Sequence, residues 1–202
     1  MTETETSSRQ ALVNTATRLF LEKGYDSVSM EQIRQVAKVS NGSLYHHFPS
    51  KAHLARGVYL TALEDYHRTM MGAISAETSA REGVHSLVTN HITWVLDSPQ
   101  KAVVLERLRP FASIDGLAPD WGAVNAEAFS LLKSWIALQV ARGDMRKLPF
   151  KVWLALVLGP SMQLSQEWAK QERPSFDPQL LSTLADCAWM SVKLQSSPKG
   201  LK

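Results

Sequence analysis

The chain of 202 residues contains 45% hydrophobic and 20% charged residues, with 10 glycines and 9 prolines. This composition is typical of a globular protein and excludes a disordered or collagen-like chain. The single cysteine, Cys187, cannot form an internal disulfide, and the polar N-terminal segment lacks the basic and apolar stretches of a secretory signal. We therefore expect a cytoplasmic protein. The most apolar run, residues 152–159, is shorter than the ~20 residues that span a bilayer and predicts a buried helix.

Positive charge is concentrated in one stretch of the chain. Residues 32–63 contain four basic side chains and no acidic one, although the net charge of the whole chain is only +3. A locally basic surface is expected where a protein binds a polyanion. On charge alone, a solvated positive face without any partner is an equally good interpretation.

Helix signals follow one another from the N-terminus. Ser7 and Ser29 are each followed three residues later by a glutamine, a pattern that predicts capping boxes at the start of the first two helices. Gly24 is predicted to end the first helix. After a turn at residues 38–42, Ser40 is the expected cap of a very short third helix. Two short helices joined by a brief turn form a helix-turn-helix arrangement, whose second helix enters the major groove of DNA.

The rest of the sequence also predicts helices, with longer apolar stripes. No segment shows the alternating pattern of a strand, so we expect no sheet. The predicted fold is all-α with about nine helices. It comprises an N-terminal three-helix domain at residues 1–50, a connecting helix at 51–75 and a larger helical domain at 76–202.

Three stretches of sequence resemble a known family. They are FLEKGY at residues 20–25, SMEQI at 29–33 and GSLYHHFPSK at 42–51. At these residues the chain resembles the TetR family of bacterial transcriptional regulators. The resemblance is confined to the N-terminal part of the chain. It implies a homodimeric repressor, with DNA binding by the N-terminal domain and with ligand binding and dimerisation by the C-terminal one.

The resemblance also implies which side chains contact DNA. It assigns a contact with the DNA backbone to Ser29, contacts in the groove to Ser43, Tyr45 and His46, and phosphate contacts to His47 and Lys51. These residue types suit the task, since hydroxyl and imidazole groups hydrogen-bond to phosphates and aromatic faces pack on sugars and thymine methyl groups. Asn41 departs from the family pattern, which often has Lys or Arg there. One charge contact is therefore missing, and base readout is expected to differ at that point.

A small-molecule site is expected in the C-terminal domain. His91 lies in an apolar helix stripe between Val88 and Val95, where a hydrogen-bonded core histidine is the commoner outcome. If the interior holds a cavity, His91 would instead offer a polar group to a ligand in an apolar space. The predicted lining residues are Asn90, His91, Trp94 and Trp135.

The C-terminal helices predict a homodimer. Residues 152–158 are apolar without a break, so this helix segment needs cover on both sides. Pairing the last two helices with their symmetry mates would form a four-helix interface. The predicted interface residues are Leu156, Leu164, Leu184 and Ala188. The alternative is that these helices form the centre of a monomeric core.

The predicted function is regulation of transcription by a homodimeric repressor that binds an inverted-repeat operator and is released by a small molecule. The alternative is a regulator of the same fold that answers to a protein partner or acts constitutively. An enzyme is the third possibility and is not expected, because Ser161 follows no strand and the chain has no glycine-rich phosphate loop.

We expect neither a cofactor nor a metal site. His46 and His47 are adjacent, so they point to different sides of a helix, and no cysteine or carboxylate accompanies them. Cys187 has small and apolar neighbours, which predict a buried and unreactive thiol.

Overall fold

The computed structural model describes residues 3–110, 121–168 and 177–194. The helices within these ranges are α1 Glu3–Lys23, α2 Met30–Ala37, α3 Asn41–His47, α4 Lys51–Met71, α5 Ala80–Asp97, α6 Pro99–Arg107, α7 Trp121–Ala141, α8 Phe150–Trp168 and α9 Pro178–Val192. These nine helices confirm the predicted all-α fold. None of the helices in these ranges is long and apolar enough to cross a membrane.

The chain divides into two compact units. Unit 1 comprises Met1–Asp65 and Gln100–Val124, and unit 2 comprises Tyr66–Pro99 and Asn125–Lys202. The domain boundaries expected from the sequence, at residues 1–50, 51–75 and 76–202, remain a prediction. The helix expected at 51–75 is α4, which ends at Met71.

In unit 1, α1 packs against both α2 and α3. Leu12 and Ala16 of α1, Ile33 of α2 and Leu44 of α3 are completely buried, and helical spacing places each of them on the inner side of its helix. Because α1 contacts both short helices, it determines how they are held relative to one another.

The start of α1 differs from the prediction. The helix begins at Glu3, so the capping box expected at Ser7 is wrong. The predicted end at Gly24 is confirmed: this glycine has φ +82° and its N–H donates to the carbonyl of Phe20.

In unit 2, α5 packs against α8 and α9, which also pack against each other. Val84, Leu87 and Ile92 of α5 and Trp153 of α8 are fully buried in this core. Gly83 is required for the packing of α7 on α5, because an added Cβ would overlap the indole ring of Trp135.

Cys187 lies on the outside of α9. Its side chain is exposed, so the prediction of a buried thiol is wrong. The inward stripe of α9 is formed by Ala185, Ala188 and Val192. At about 100° of rotation per residue, position 187 falls on the side opposite to 185.

Candidate nucleic-acid interface

The second helix begins with the predicted capping box. The Oγ of Ser29 accepts from the backbone N–H of Gln32 at 3.1 Å, and the Oε1 of Gln32 accepts from the N–H of Ser29 at 2.9 Å. Ser29 is exposed and its own hydroxyl proton remains available to donate. The cap therefore places a hydroxyl donor at the surface where α2 begins.

The third helix has an inner and an outer side. Ser40 caps it by accepting from the N–H of Ser43 at 3.1 Å. Leu44 is fully buried, while Tyr45 is 49% exposed and His46 is exposed as well. With only seven residues, α3 is held in place by its buried side and presents polar aromatic side chains on the other.

A groove runs beside α3. Its volume is about 600 Å³, and the side chains that line it come from the start of α1, the turn and α3: Ser8, Lys38, Val39, Ser40, Gly42, Ser43, His46 and His47. The structure thus brings Ser43, His46 and His47 of the predicted DNA-contacting set together. Sequence reasoning missed Lys38, which it counted as a basic residue and placed in a turn without assigning it a role.

The turn between α2 and α3 is shorter than predicted. Lys38 takes the left-handed conformation, with φ 56° and ψ 40°, and closes α2 through bonds from its N–H to the carbonyls of Arg34 and Gln35. Because α3 begins at Asn41, Gly42 lies in its first turn, and its placement in the turn between the helices was wrong. An added Cβ at Gly42 would meet nothing within 4 Å, so the surface is open there.

Lys51 is fixed at the start of α4. Its Nζ donates to the carbonyl of Asp26 at 3.2 Å and lies 4.4 Å from the centre of the Tyr25 ring. A lysine ammonium has three donors, so this arrangement leaves N–H groups for a phosphate. The cation is anchored to the segment that joins α1 and α2.

Part of the local positive charge is neutralised within the chain. Arg34 donates to Glu31 through Nε at 2.8 Å and through Nη2 at 2.6 Å. These bonds to Arg34 lower the pKa of the Glu31 carboxyl to about 2. The basic stretch begins just after Glu31, so counting the charges of residues 32–63 alone overstated the local positive charge.

The predicted ligand residue His91 is a hydrogen-bonded core histidine in this structure. It is 5% exposed, and its Nδ1 lies 3.0 Å from the hydroxyl of Tyr66 and its Nε2 2.9 Å from the Oγ of Ser165. Burial lowers the pKa of His91 to about 4, so the ring is neutral near pH 7. Trp94 joins the same group, with its ring centre 5.0 Å from that of Tyr66.

The other two predicted ligand residues have separate partners. Asn90 donates through Nδ2 to the carbonyl of Thr69 at 3.0 Å. Trp135 is 4% exposed and packs against Gly83 of α5. Gly83 and His91 are separated by about 12 Å along the axis of that helix, so Trp135 and His91 contact different parts of the core. Tyr66 was missed because no periodic or motif signal singles out one tyrosine of α4.

The predicted interface residues differ in exposure. Leu156 is 36% exposed, and Leu164 and Leu184 are half-buried. Ala188 is only 4% exposed and belongs to the core of its own chain, so it offers almost no surface to a partner. The same two helices expose further apolar side chains: Val152 at 45%, Met162 at 46%, Leu180 at 37% and Met190 at 54%.

The sequence raised two further possibilities, a nucleophilic serine and a metal site. The Oγ of Ser161 is buried and donates to the carbonyl of Leu158 at 2.9 Å. Within the three described ranges, no group of three or more histidine, cysteine or acidic side chains is arranged to hold a metal ion.

A short exposed helix held by a capped partner helix and a supporting first helix defines the class of helix-turn-helix proteins. Residues 12–58 match the family model described as "Bacterial regulatory proteins, tetR family". Within residues 12–58 the chain therefore carries the N-terminal domain of this TetR family.

Curated relatives match part of the chain. The Transposon Tn10 TetC protein of Escherichia coli is 30% identical over 107 residues, which is 52% of each chain. The HTH-type transcriptional repressor DhaR of Mycobacterium sp. (strain GP1) is 36% identical over 69 residues, covering 34% of this chain and 35% of the relative. The match thus spans about half or less of the length of these relatives.

Solved structures share the fold over nearly the whole chain. A TetR family transcription regulator from Marinobacter aquaeolei VT8 is similar with a TM-score of 0.76, at 18% identity over 96% of this chain and 100% of that one. The fatty acid degradation regulator FadR of Bacillus halodurans is similar with a TM-score of 0.72, at 17% identity over 89% and 97%. At these identities the similarity shows the fold.

Proposed function

We propose that the protein regulates transcription by binding operator DNA as a homodimer, and that it is a repressor which a small molecule releases. The observation that carries this proposal is the two-sided recognition helix α3. Leu44 anchors its inner side, while Tyr45 and His46 stand exposed next to a groove with a lysine at its edge. Operator DNA lies in the cytoplasm of a bacterial cell, so we place the protein there.

The proposed DNA contacts divide into two kinds. Ser43, Tyr45 and His46 of α3 face the major groove and read base edges, whereas Ser29, His47 and Lys51 hold the DNA backbone. Lys38 joins the second group, because it lines the same groove as His47. Contacts with the backbone set the position of α3, and contacts in the groove supply specificity.

The dimer is supported by the exposed apolar residues of α8 and α9. Leu156 and Val152 of α8 and Leu180 and Met190 of α9 are each more than a third exposed. Large apolar side chains left exposed on two helices that pack against each other favour an interface with a partner. A two-fold dimer presents two identical recognition helices, which requires an inverted-repeat site.

Repression and release by a small molecule rest on different grounds. Repression is supported by relatives such as DhaR, which is named a transcriptional repressor. A small-molecule effector is supported by the family resemblance alone, because Tyr66 and Ser165 already occupy both ring nitrogens of His91. The alternative, control by a protein partner or by none, requires that no compound changes DNA affinity.

The test is selection of bound duplexes from genomic DNA, followed by fluorescence anisotropy on the selected site. Tyr45→Ala is expected to weaken specific binding by about ten-fold, and Lys51→Ala to weaken all sequences alike. Leu131, which is 54% exposed on α7, is the matched control for Tyr45. Lys133, which lies 4.9 Å from the ring centre of Phe150, is the matched control for Lys51. Equal losses in variants and controls, or no binding to any duplex at low salt, would contradict the proposal.

A further inference from the structure

Unit 1 contains a pocket away from the recognition helix. It lies between α1, α4 and α6 and has a volume of about 270 Å³. Pockets for drug-sized ligands have volumes of ~300–1,000 Å³. A molecule that fills this one is therefore smaller, with a single ring or a short chain.

The floor of the pocket is apolar. Val13 of α1, Val58 and Ala62 of α4 and Val104 of α6 line it, and each is at most 4% exposed. Thr17 also lines it, and its hydroxyl is already bonded to the carbonyl of Val13 at 2.8 Å. The floor therefore suits hydrocarbon.

The mouth of the pocket is basic. Arg18 of α1 and Lys101 of α6 line it together with the amides of Asn14 and Gln100. The acidic partners of these two cations do not line the pocket. Arg18, for example, contacts Glu22, which lies one turn further along α1. The pocket thus combines an apolar floor with two cations and two amides at its entrance.

The two cations differ in how firmly they are held. Lys101 bonds Asp65 at 2.7 Å, whereas Arg18 reaches Glu22 only through Nη1, at 3.3 and 3.4 Å. Within the described residues, Nε and Nη2 of Arg18 donate to no acceptor. Arg18 can therefore bind an anion at the mouth without giving up its contact with Glu22.

We infer that this pocket binds a small amphipathic carboxylate, with its apolar body between Val13, Val58 and Val104 and its carboxylate on Arg18. The site is separate from the group around His91, which belongs to unit 2. Neutral or cationic molecules of the same shape bind more weakly, because they do not pair with the guanidinium.

Binding here also affects the proposed DNA-binding activity, and this second step rests on that proposal. The same helix, α1, forms one wall of the pocket and packs against α2 and α3. A ligand that fills the space beside Val13 shifts α1 relative to α4 and α6. The position of α3 on the DNA changes with it, and operator affinity falls.

The first experiment measures binding alone, on the full chain in the absence of DNA. Benzoate is titrated while the methyl signals of Val13, Val58 and Val104 are followed by NMR. We expect these signals to shift with a dissociation constant of about 1 mM, as suits a ligand of this size. Benzamide, the neutral molecule of the same shape, is expected to bind at least about five-fold more weakly.

Variants test the two halves of the site. Arg18→Gln is expected to weaken benzoate at least about five-fold and to leave benzamide unchanged. Lys23→Gln removes a cation from the same helix outside the pocket and is the matched control, with no change for either molecule. Ala62→Leu fills the floor of the pocket. It is expected to abolish the methyl-signal shifts that benzoate and benzamide cause. Arg18 is exposed, so its variant keeps the test valid even if the Ala62 variant fails to fold.

The second experiment adds the selected operator duplex. Benzoate at saturation is expected to lower operator affinity in the normal chain and not in Arg18→Gln. If no duplex is bound, the proposed function fails, while the NMR titration still decides the pocket. The carboxylate site would be overturned by any of three results: no methyl shifts with benzoate, benzamide binding as tightly as benzoate, or a loss of benzoate affinity in Lys23→Gln equal to that in Arg18→Gln. Methyl shifts without an effect on DNA would overturn the coupling through α1.

Discussion

A buried chain of hydrogen bonds passes through His91. The hydroxyl of Ser165 donates to the carbonyl of Met162 at 3.0 Å, so its oxygen accepts from the Nε2–H of His91. The Nδ1 of His91 then accepts from the hydroxyl of Tyr66. A neutral imidazole satisfies this chain on both sides, whereas a protonated ring would carry a charge into this buried position.

This arrangement predicts a loss of stability in mild acid. The pKa of His91 falls from 6.5 to about 4 on folding, because burial opposes the charged ring. As the pH falls from 6.5 towards 4, the unfolded chain gains a proton that the folded chain does not. The free energy of unfolding is therefore expected to fall by up to about 3 kcal/mol in this window.

Urea denaturation at several pH values between 4 and 7 measures this loss. His91→Gln is expected to be less stable than the normal chain at pH 7 and to lose less stability on acidification. Burial also lowers the pKa of His67, so part of the slope persists in the variant. The same slope in His91→Gln as in the normal chain would contradict this account.

At the scale of single elements, two helices share the same start. Ser29 of α2 and Ser79 of α5 each form a capping box with a side chain three residues later. Both serines are exposed, and each cap satisfies backbone N–H groups that have no partner within the helix. The two caps are alike in geometry and differ in their proposed roles.

Replacing either serine by alanine is expected to lower the free energy of unfolding by about 1 kcal/mol. Only Ser29→Ala is expected to weaken operator binding as well, because Ser29 also contacts the DNA backbone in the proposed complex. Chemical denaturation and fluorescence anisotropy on the same samples separate the two effects. If both variants bind DNA equally well, Ser29 acts only as a cap.

At the scale of the whole molecule, the apolar side chains of α8 and α9 predict the oligomeric state. Sedimentation at micromolar concentration is expected to show a species of twice the 22.5 kDa chain mass. Leu156→Asp is expected to shift it towards the monomer, since a charge in an apolar interface is left without a partner. Leu131→Asp, at an exposed site on α7, is the control and leaves the dimer intact. A single species of 22.5 kDa would exclude the dimer and with it the inverted-repeat site.

The sequence by itself determined many local features of this protein, although the start of α1 and the placement of Gly42 were predicted wrongly. The capping box at Ser29, the cap at Ser40 and the helix end at Gly24 were predicted correctly, because each depends on bonds between residues only a few positions apart. The all-α class follows from the same signals together with helical periodicity. Ile33 and Leu44 occupy the inner positions that helical spacing gives them, and both are fully buried.

Only the tertiary structure decided which distant residues meet. The partners of His91, Tyr66 and Ser165, lie 25 and 74 residues away along the chain, and no local pattern marks either of them. Cys187 and Ala188 have the same small and apolar neighbours, yet packing on one side of α9 exposes the first and buries the second. Caps and turns depend on bonds within a few residues, whereas burial and long-range hydrogen bonds depend on how whole helices pack.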